Sequence, residues 1–317
     1  MVQARNKKSE ISTRDAFGEV LVEIGRENEK VVVFEADISK STRTYHFSEA
    51  FPERFFQMGV AESNMMIAAA GMATTGKIPF ACTYAVFGSM RCCEQVRTFI
   101  AYPKLNVKIA CSHGGVTPGS DGVTHQGTED LGIMRTIPGM TVIMPADYFA
   151  TKKLVKAAVE YTGPVYLRFT RDPVPIIYDE EDEFVIGKGR IIVAGDSVSL
   201  MAIGDMVAVA LEAHDYLTSR GVYADVIDLH TLKPLDKALV LQSAKKTGRV
   251  VTIEDHQIQG GLGSAVAELL GEQHPTPLRR IGLRNTFAES GDYGRLLQKY
   301  EMDASAVIAA VDDLMGA

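Results

Sequence analysis

The 317-residue sequence lacks several features that would indicate particular classes of protein. It has four cysteines and no C-x-x-C pair, which argues against a disulfide framework or a zinc site and favours reduced thiols in the cytoplasm. No apolar run reaches the length of a membrane span. Residues 1–12 have no apolar stretch behind their basic side chains, so we expect no secretory signal. The net charge of −7 argues against non-specific binding of nucleic acid.

The sequence does contain a regular alternation of short apolar runs and longer helical patterns. Nearly continuous apolar strands separated by helices are typical of a parallel sheet that is covered on both faces. In the first half the predicted strands are Val31–Glu35, Pro79–Thr83, Val107–Cys111, Thr141–Met144 and Val165–Phe169. The predicted helices are Thr13–Glu27, Asn64–Thr75, Met90–Ile100, Thr128–Arg135 and Tyr148–Tyr161.

A segment rich in proline and acidic residues divides the sequence. It runs from Asp172–Pro175 to Asp179–Glu183, and this composition is typical of a linker. A solvated loop within one domain is the alternative, but strands and helices alternate again after it. The later strands are predicted at Ser199–Ile203, Ala224–Asp228, Arg249–Ile253 and Leu278–Ile281, and the later helices at Met206–Ser219, Asp236–Thr247, Gly263–Gly271 and Tyr293–Tyr300. We therefore predict an α/β protein of two domains, 1–178 and 186–317, each a mainly parallel sheet flanked by helices.

Glu62 is the only ionisable residue in the apolar segment 55–76. Its neighbours are methionine, alanine, isoleucine and glycine, so we expect a poorly solvated carboxyl group, and poor solvation favours the neutral form. A glutamate in the first turn of a helix can also serve only to stabilise the helix N-terminus. The residues alone leave both interpretations open.

A second candidate site is the glycine-rich loop 111–128, CSHGGVTPGSDGVTHQGT, which follows a predicted strand. Ligands of open α/β sheets bind beyond the carboxyl ends of strands, where this loop presents His113, Asp121 and His125. A polar substrate site and ordinary polar loop residues are the main alternatives. A metal site is a third, which is disfavoured because Asp121 and His125 do not lie at ligand spacing in a helix.

Two of these stretches resemble the transketolase family. The sequence GVAESNM at 59–65 is similar to the G-[VI]-x-E-x-N-M motif that begins the family's pyrimidine-binding domain, and GSDGVTHQ at 119–126 is similar to its G-x-D-G-[PV]-T-H-Q stretch. The resemblance implies that Glu62 donates a hydrogen bond to the aminopyrimidine of thiamine diphosphate and so activates the cofactor. It also implies that Asp121 and His125 bind sugar hydroxyls, with His125 near the donor carbonyl.

The resemblance also implies further contacts with the cofactor. The segment 82–87 is similar to the one whose aromatic side chains pack on the aminopyrimidine, with Tyr84 and Phe87 at the matching positions. Met90 stands where a third aromatic is common. Asp37 matches a residue near the cofactor's thiazolium. Ordinary core packing is the alternative for Tyr84 and Phe87.

Four residues match the family's contacts with substrate phosphate, namely Arg14, Ser41, His113 and Arg171. Arginine suits this role because its guanidinium presents a planar fork of donors to phosphate oxygens. Arg168 belongs to the same predicted strand as Arg171 but has the opposite parity, so we predict that Arg168 lies on the surface.

The sequence lacks the G-D-G motif and following asparagine with which the family's diphosphate-binding domain holds Mg²⁺ and the diphosphate. GDS at 195–197 and GDM at 204–206 begin the pattern without its second glycine. The resemblance covers the C-terminal half of a transketolase, with Met1 near the expected start of the pyrimidine-binding domain. It implies the C-terminal subunit of a split transketolase, whose N-terminal partner subunit holds most of the diphosphate and Mg²⁺ in an α₂β₂ assembly.

The second domain contributes weaker signals. The segment 250–263 resembles the family's C-terminal domain. Gly261 and Gly263 before a predicted helix are a weak nucleotide-binding signal because Val266 replaces the third glycine, so a tight turn is the preferred interpretation. We predict that His256 is structural or lies at an interface.

The function implied by the resemblance is transfer of a two-carbon ketol unit from a ketose phosphate to an aldose phosphate, with the pentose phosphate pathway as the expected setting. The alternatives are the β subunit of a 2-oxo-acid dehydrogenase E1 component and a subunit similar to 1-deoxyxylulose-5-phosphate synthase. A binding or regulatory module without catalysis is a further alternative, disfavoured by the joint presence of Glu62, His113, Asp121 and His125.

Overall fold

The computed structural model describes residues 10–316, so residues 1–9 of the predicted first domain lie outside the described part. The strands are β1 (Glu10–Ile11), β2 (Val31–Glu35), β3 (Phe55–Gln57), β4 (Ile78–Tyr84), β5 (Lys108–Ser112), β6 (Thr141–Ile143), β7 (Val165–Arg168), β8 (Val174–Pro175), β9 (Arg190–Val193), β10 (Val198–Ala202), β11 (Ala224–Asp228), β12 (Thr231–Lys233), β13 (Val250–Gln257) and β14 (Leu278–Leu283). None of the helices within residues 10–316 is both long and apolar enough to cross a membrane.

The helices lie between the strands in the order that the alternating pattern predicts. They are α1 (Thr13–Glu27), α2 (Ser39–Thr42), α3 (Tyr45–Ala50), α4 (Glu62–Ala73), α5 (Cys93–Gln95), α6 (Asp130–Thr136), α7 (Tyr148–Glu160), α8 (Met206–Ser219), α9 (Lys237–Thr247), α10 (Leu262–Gln273), α11 (Tyr293–Lys299) and α12 (Ala304–Met315). The helix predicted at 90–100 is instead a pair of π-helical turns, Phe87–Arg91 and Val96–Ala101, on either side of α5.

The first sheet has seven strands in the order β12-β6-β7-β5-β4-β2-β3, and all neighbours are parallel except β12 and β6. Alternate side chains of its strands point into the two hydrophobic cores on opposite faces of the sheet. Val33 of β2 packs in a cluster with Phe17 of α1, whereas Phe34 packs with Met65 of α4 on the other face. Burial on both faces explains why these strands are mostly apolar and confirms the predicted fold class.

The second sheet has five strands in the order β14-β13-β10-β11-β9, with only β9 antiparallel. Helices α8 and α12 pack on one face, and α9 and α10 pack on the other. The sequence pattern did not indicate the helices α2, α3 and α12 or the short strands β1, β3, β8, β9 and β12. Strands of two to four residues are too short to show a period of their own.

The two halves of the chain are joined through a sheet. Strand β12 follows the second domain's β11 but pairs with β6 of the first sheet, where Thr231 lies opposite Ile143. The end of the first half also folds back, because β8 pairs with β1 near the start of the described residues. The division into two domains, 1–178 and 186–317, therefore remains a prediction. The two segments are in extensive contact.

Arg168 is fully buried, so its predicted position on the surface is wrong. Its Nε lies 3.2 Å from Asp130 Oδ2, and its Nη2 donates to the carbonyl oxygens of Gly127 at 3.1 Å and Asp255 at 2.7 Å. Parity distinguishes the two faces of β7, but it does not indicate exposure here, because every residue of β7 is buried. A Cβ at Gly114 would lie 1.9 Å from Arg168 Nε, so this side chain also requires the glycine.

Candidate active site

The predicted site residues follow the carboxyl ends of neighbouring parallel strands. Tyr84 is the last residue of β4, His113 directly follows β5, Arg171 follows β7, and Asp37 follows β2. These strands are neighbours in the order β7-β5-β4-β2. Their carboxyl ends lie at one edge of the sheet, which is where ligands of open α/β sheets bind.

Four rings form a cluster at this edge. The ring of Tyr84 lies 3.9 Å from the ring of His113, 5.9 Å from Phe87 and 5.8 Å from His125, measured between centroids. Phe87 and His125 are 5.7 Å apart. The structure thus brings the aromatics predicted to contact the cofactor next to the histidines predicted to contact the substrate.

His113 is a neutral imidazole in this cluster. It is buried, and its Nδ1 lies 2.8 Å from the hydroxyl oxygen of Ser112. Burial, followed by the positive charges of Arg14 and Arg171, lowers the pKa of His113 to about 3. A neutral His113 can offer a hydrogen bond to a substrate anion but adds no charge to the site.

Arg14 and Arg171 both lie near the cluster, since both positive charges act on His113. Arg14 Nη1 donates to the carbonyl oxygen of Ser41 at 3.1 Å, so these two predicted phosphate contacts are adjacent. Arg171 Nη1 donates to the carbonyl oxygen of Pro118 at 2.7 Å, in the loop that carries Asp121. The Nε of Arg14 is buried and has no hydrogen-bond partner within the described residues. A free buried donor of this kind suits an oxyanion.

Arg43 adds a positive charge that the sequence analysis missed. Burial, followed by the charge of Arg43, lowers the pKa of Arg14, and Arg43 also contributes to the low pKa of His113. Arg43 Nε lies 2.5 Å from Asp15 Oδ1. Arg43 lies two residues after Ser41, in a segment that the resemblance already links to phosphate binding. This position is the feature of the sequence that could have indicated its role.

Glu62 is the first residue of α4 and is only 4% exposed, but its surroundings are not purely apolar. Both carboxylate oxygens lie 2.8 Å from Arg91 Nη1. The carboxyl group is buried as expected, but a guanidinium contacts it in addition to the apolar side chains of its own segment. Arg91 lies 29 residues away along the chain, outside the segment on which that expectation rested.

Asp37 and Asp121 lie at the rim of the site. Asp37 is exposed, has a positive φ of 67°, and donates its backbone amide to Gln57 Oε1 at 2.8 Å. Asp121 is exposed at the end of a short 3₁₀ turn, Gly119–Asp121. Both carboxylates are accessible to a ligand, and neither is held in place by the four rings.

The second domain supports the loop that carries His113 and His125. The amide of Val116 donates to both carboxylate oxygens of Asp255 at 3.0 Å. Gln126 Nε2 donates to the carbonyl oxygen of Glu289 at 3.1 Å, and the amide of Gly291 donates to Gly119 O at 3.2 Å. The conformation of the loop therefore depends on both domains.

His256 and the glycine turn make contacts within the fold. His256 is fully buried, and its Nε2 accepts a hydrogen bond from the Gly132 amide at 3.2 Å across the two domains. In the turn, the amides of Leu262 and Gly263 donate to the Glu254 carboxylate at 2.6 and 2.8 Å. A Cβ at Gly261 would lie 2.0 Å from Glu254 Oε2, so the close approach requires glycine.

Glu62, Tyr84 and Phe87 together fit a planar heterocycle, because the planar guanidinium of Arg91 already contacts both the buried Glu62 carboxyl group and the face of Phe87, which stacks with Tyr84. Within residues 10–316, no group of three or more His, Cys, Asp or Glu side chains is arranged so that it could hold a metal ion. His113 and His125 instead face the ring of Tyr84.

Two family models match the chain. Residues 9–176 match the transketolase pyrimidine-binding domain, and residues 187–307 match the transketolase C-terminal domain.

Similar proteins cover nearly the same length. A Methanocaldococcus jannaschii protein provisionally named a transketolase C-terminal section is 45% identical over 95% of this chain and 96% of its own. A 6-deoxy-6-sulfo-D-fructose transketolase subunit from Clostridium sp. (strain MSTE9) is 42% identical over 95% of this chain and 94% of its own. A solved structure of a split-gene transketolase, described as an inactive beta4 tetramer, has 49% identity and a TM-score of 0.89, and the match covers 96% of this chain and 98% of that chain.

Proposed function

This chain belongs to the family of C-terminal subunits of split transketolases, and we propose that, with an N-terminal subunit, it transfers two-carbon ketol units using thiamine diphosphate. The observation that carries the proposal is the cluster of Tyr84, Phe87, His113 and His125 at one sheet edge. Residues suited to a planar cofactor and residues suited to a polar substrate meet there, as one site for both requires.

Glu62, Tyr84, Phe87 and Asp37 are proposed to hold the cofactor. Glu62 would hold a proton at a ring nitrogen of the aminopyrimidine, Tyr84 and Phe87 would pack against that ring, and Asp37 would contribute on the thiazolium side. When bound, thiamine diphosphate supplies the carbon nucleophile that carries the two-carbon unit. The chain's part is to orient the ring and control its protonation.

The substrate is proposed to be a sugar with an anionic end. Asp121 and His125 hydrogen-bond its hydroxyls, and His125 also acts near the donor carbonyl. Arg14, Ser41 and Arg171 bind the phosphate, with neutral His113 as a hydrogen-bond partner. The charge of Arg43 supports an anion at this end.

The diphosphate and Mg²⁺ are proposed to bind mainly to the N-terminal partner subunit, in an α₂β₂ assembly in the cytoplasm. The support is that the matching family models are the pyrimidine-binding and C-terminal domains, which together span residues 9–307. The active site would then form between chains, and Glu62 would lie at that interface.

Reconstitution tests this function. Thiamine diphosphate with Mg²⁺ is titrated by calorimetry into this chain alone and into its mixture with the N-terminal transketolase section of the same organism. We expect weak binding to the chain alone, tight binding to the mixture, and ketol transfer from a ketose phosphate to an aldose phosphate only in the mixture.

Two results would contradict the proposal. Tight Mg²⁺-dependent binding to this chain alone would exclude the need for a partner, and a mixture that binds cofactor without ketol transfer would exclude the reaction. Fructose 6-phosphate and 6-deoxy-6-sulfofructose are compared as donors, because the relative named for the sulfosugar indicates that the anionic group can differ.

A further inference from the structure

Arg91 contacts two of the three residues that the proposed function assigns to the pyrimidine ring, Glu62 and Phe87. Its Nη1 lies 2.8 Å from each carboxylate oxygen of Glu62. Its Cζ lies 4.4 Å from the centroid of the Phe87 ring. The guanidinium is planar and donates hydrogen bonds, so it meets a carboxylate and an aromatic face in one position, as an aminopyrimidine would have to do.

These contacts are incompatible with a second planar partner in the same place. Arg91 engages both oxygens of Glu62, and the Glu62 side chain is only 4% exposed, so little of it is open to another approach. The same guanidinium covers a face of Phe87. A heterocycle that requires both Glu62 and Phe87 must therefore displace Arg91.

Arg91 is able to leave, and Glu62 is not. The Arg91 side chain is 48% exposed and ends the π-helical turn Phe87–Arg91, a type of turn that is frequent at functional sites. Glu62 is buried at the start of α4. Removal of Arg91 without a replacement would leave a buried carboxylate unpaired, which is unfavourable. The arginine should therefore move only when another partner for Glu62 arrives.

We propose that Arg91 is a placeholder for the pyrimidine ring. It pairs with Glu62 while the subunit lacks cofactor, and it turns toward solvent when the cofactor binds in the two-chain enzyme. Part of the free energy of cofactor binding is then used to displace Arg91, so this residue lowers the affinity for the cofactor. The inference rests on the proposed role of Glu62 and adds a residue that competes with the cofactor.

Arg91→Met tests the proposal because it keeps an apolar side chain of moderate length and removes the guanidinium. Arg97→Met is the matched control, since Arg97 is exposed in the neighbouring turn Val96–Ala101. Thiamine diphosphate is titrated by calorimetry, at fixed Mg²⁺, into the two-chain enzyme. We expect the dissociation constant to fall roughly three- to tenfold for Arg91→Met, the range of a partly exposed ion pair, and to stay unchanged for Arg97→Met.

The direction of the change in cofactor affinity distinguishes a residue that competes with the cofactor from one that supports the site. Damage to the site weakens cofactor binding, whereas removal of a competitor tightens it, so equal or weaker binding by Arg91→Met overturns the proposal. In the isolated chain without cofactor, Arg91→Met should unfold at a lower temperature than Arg97→Met, because Glu62 is left unpaired. Equal unfolding temperatures would also overturn it. If the wild-type mixture binds no cofactor, the proposed function fails, and the thermal comparison still tests the pairing in the free chain.

Discussion

At the residue scale, the chemistry of Glu62 depends on what lies beside it. In the free chain the neighbour is a cation, which pairs with the carboxylate. In the proposed enzyme the neighbour is a heterocycle whose ring nitrogen shares a proton with Glu62. One buried carboxyl at a helix start can serve both states because each partner satisfies its oxygens.

Glu62→Gln should lower ketol transfer by the reconstituted enzyme by roughly 10²- to 10⁴-fold, the range of a lost acid–base group. An amide is similar in size but cannot exchange a proton with the ring nitrogen. Glu94→Gln is the control, because Glu94 is an exposed glutamate in α5, and it should stay within twofold of wild type. Steady-state turnover at saturating cofactor checks the prediction, with circular dichroism to verify the fold; near-normal turnover by Glu62→Gln would exclude its catalytic role.

At the scale of elements, β7 and the residues after it separate two arginines by function. Arg168 is the last residue of the strand and is buried against Asp130 and the loop carbonyls. Arg171 is three residues further on, partly exposed, and holds the loop at Pro118. The same residue type therefore stabilises the fold at one position and faces the proposed substrate at the other.

Arg168→Met should reduce the free energy of unfolding by about 3–5 kcal/mol, because it leaves Asp130 buried without its cation. Arg171→Met should change it by less than about 1 kcal/mol and instead raise the KM for the sugar phosphates. Urea denaturation and steady-state kinetics of the reconstituted enzyme measure the two effects. Equal stability losses for both variants would contradict this division of roles.

At the scale of the whole molecule, buried acids lie where the two domains meet. Asp255 of β13 faces one cation and two further acids from the surrounding elements, namely Arg168, Asp130 and Asp205, together with Tyr293. Burial, followed by the charge of Asp205, raises the pKa of Asp255 to about 8. Asp255 also accepts the Val116 amide, so its protonation affects a contact between the two domains.

The sign of the resulting pH dependence follows from linkage. The folded chain keeps the Asp255 proton up to about pH 8, whereas the unfolded chain releases it near pH 4, so the folded state binds more protons between these values. This contribution to stability is fully present below about pH 4, decreases as the pH rises, and is lost above about pH 8.

Asp255→Asn should remove this contribution while keeping an acceptor for the Val116 amide. The free energy of unfolding of Asp255→Asn, relative to wild type, should therefore increase as the pH rises from 5.5 to 8.5, in urea titrations at each pH. Asp196→Asn, at an exposed aspartate of the same domain, should give a curve parallel to wild type. A parallel curve for Asp255→Asn would refute the titration of Asp255 in this window.

The sequence by itself determined the alternating α/β architecture and supplied the candidate residues for the site. The bounds of α1, α8, β2 and β11 coincide with those predicted, because the period of buried side chains is a local property of the sequence. The strand ends then fixed which loops could carry a site. The order of the motifs supplied the resemblance from which the cofactor and substrate residues were assigned.

Only the tertiary structure decided what those residues touch. Arg91 reaches Glu62 across 29 residues, Asp255 reaches the loop that carries His113 and His125 from another domain, and β12 completes the first sheet from the second domain. Local periodicity carries no information on such pairs, because it reports which face of an element is buried and not which group buries it. Arg168 was misplaced for this reason: its polar partners are supplied by chain segments distant in sequence.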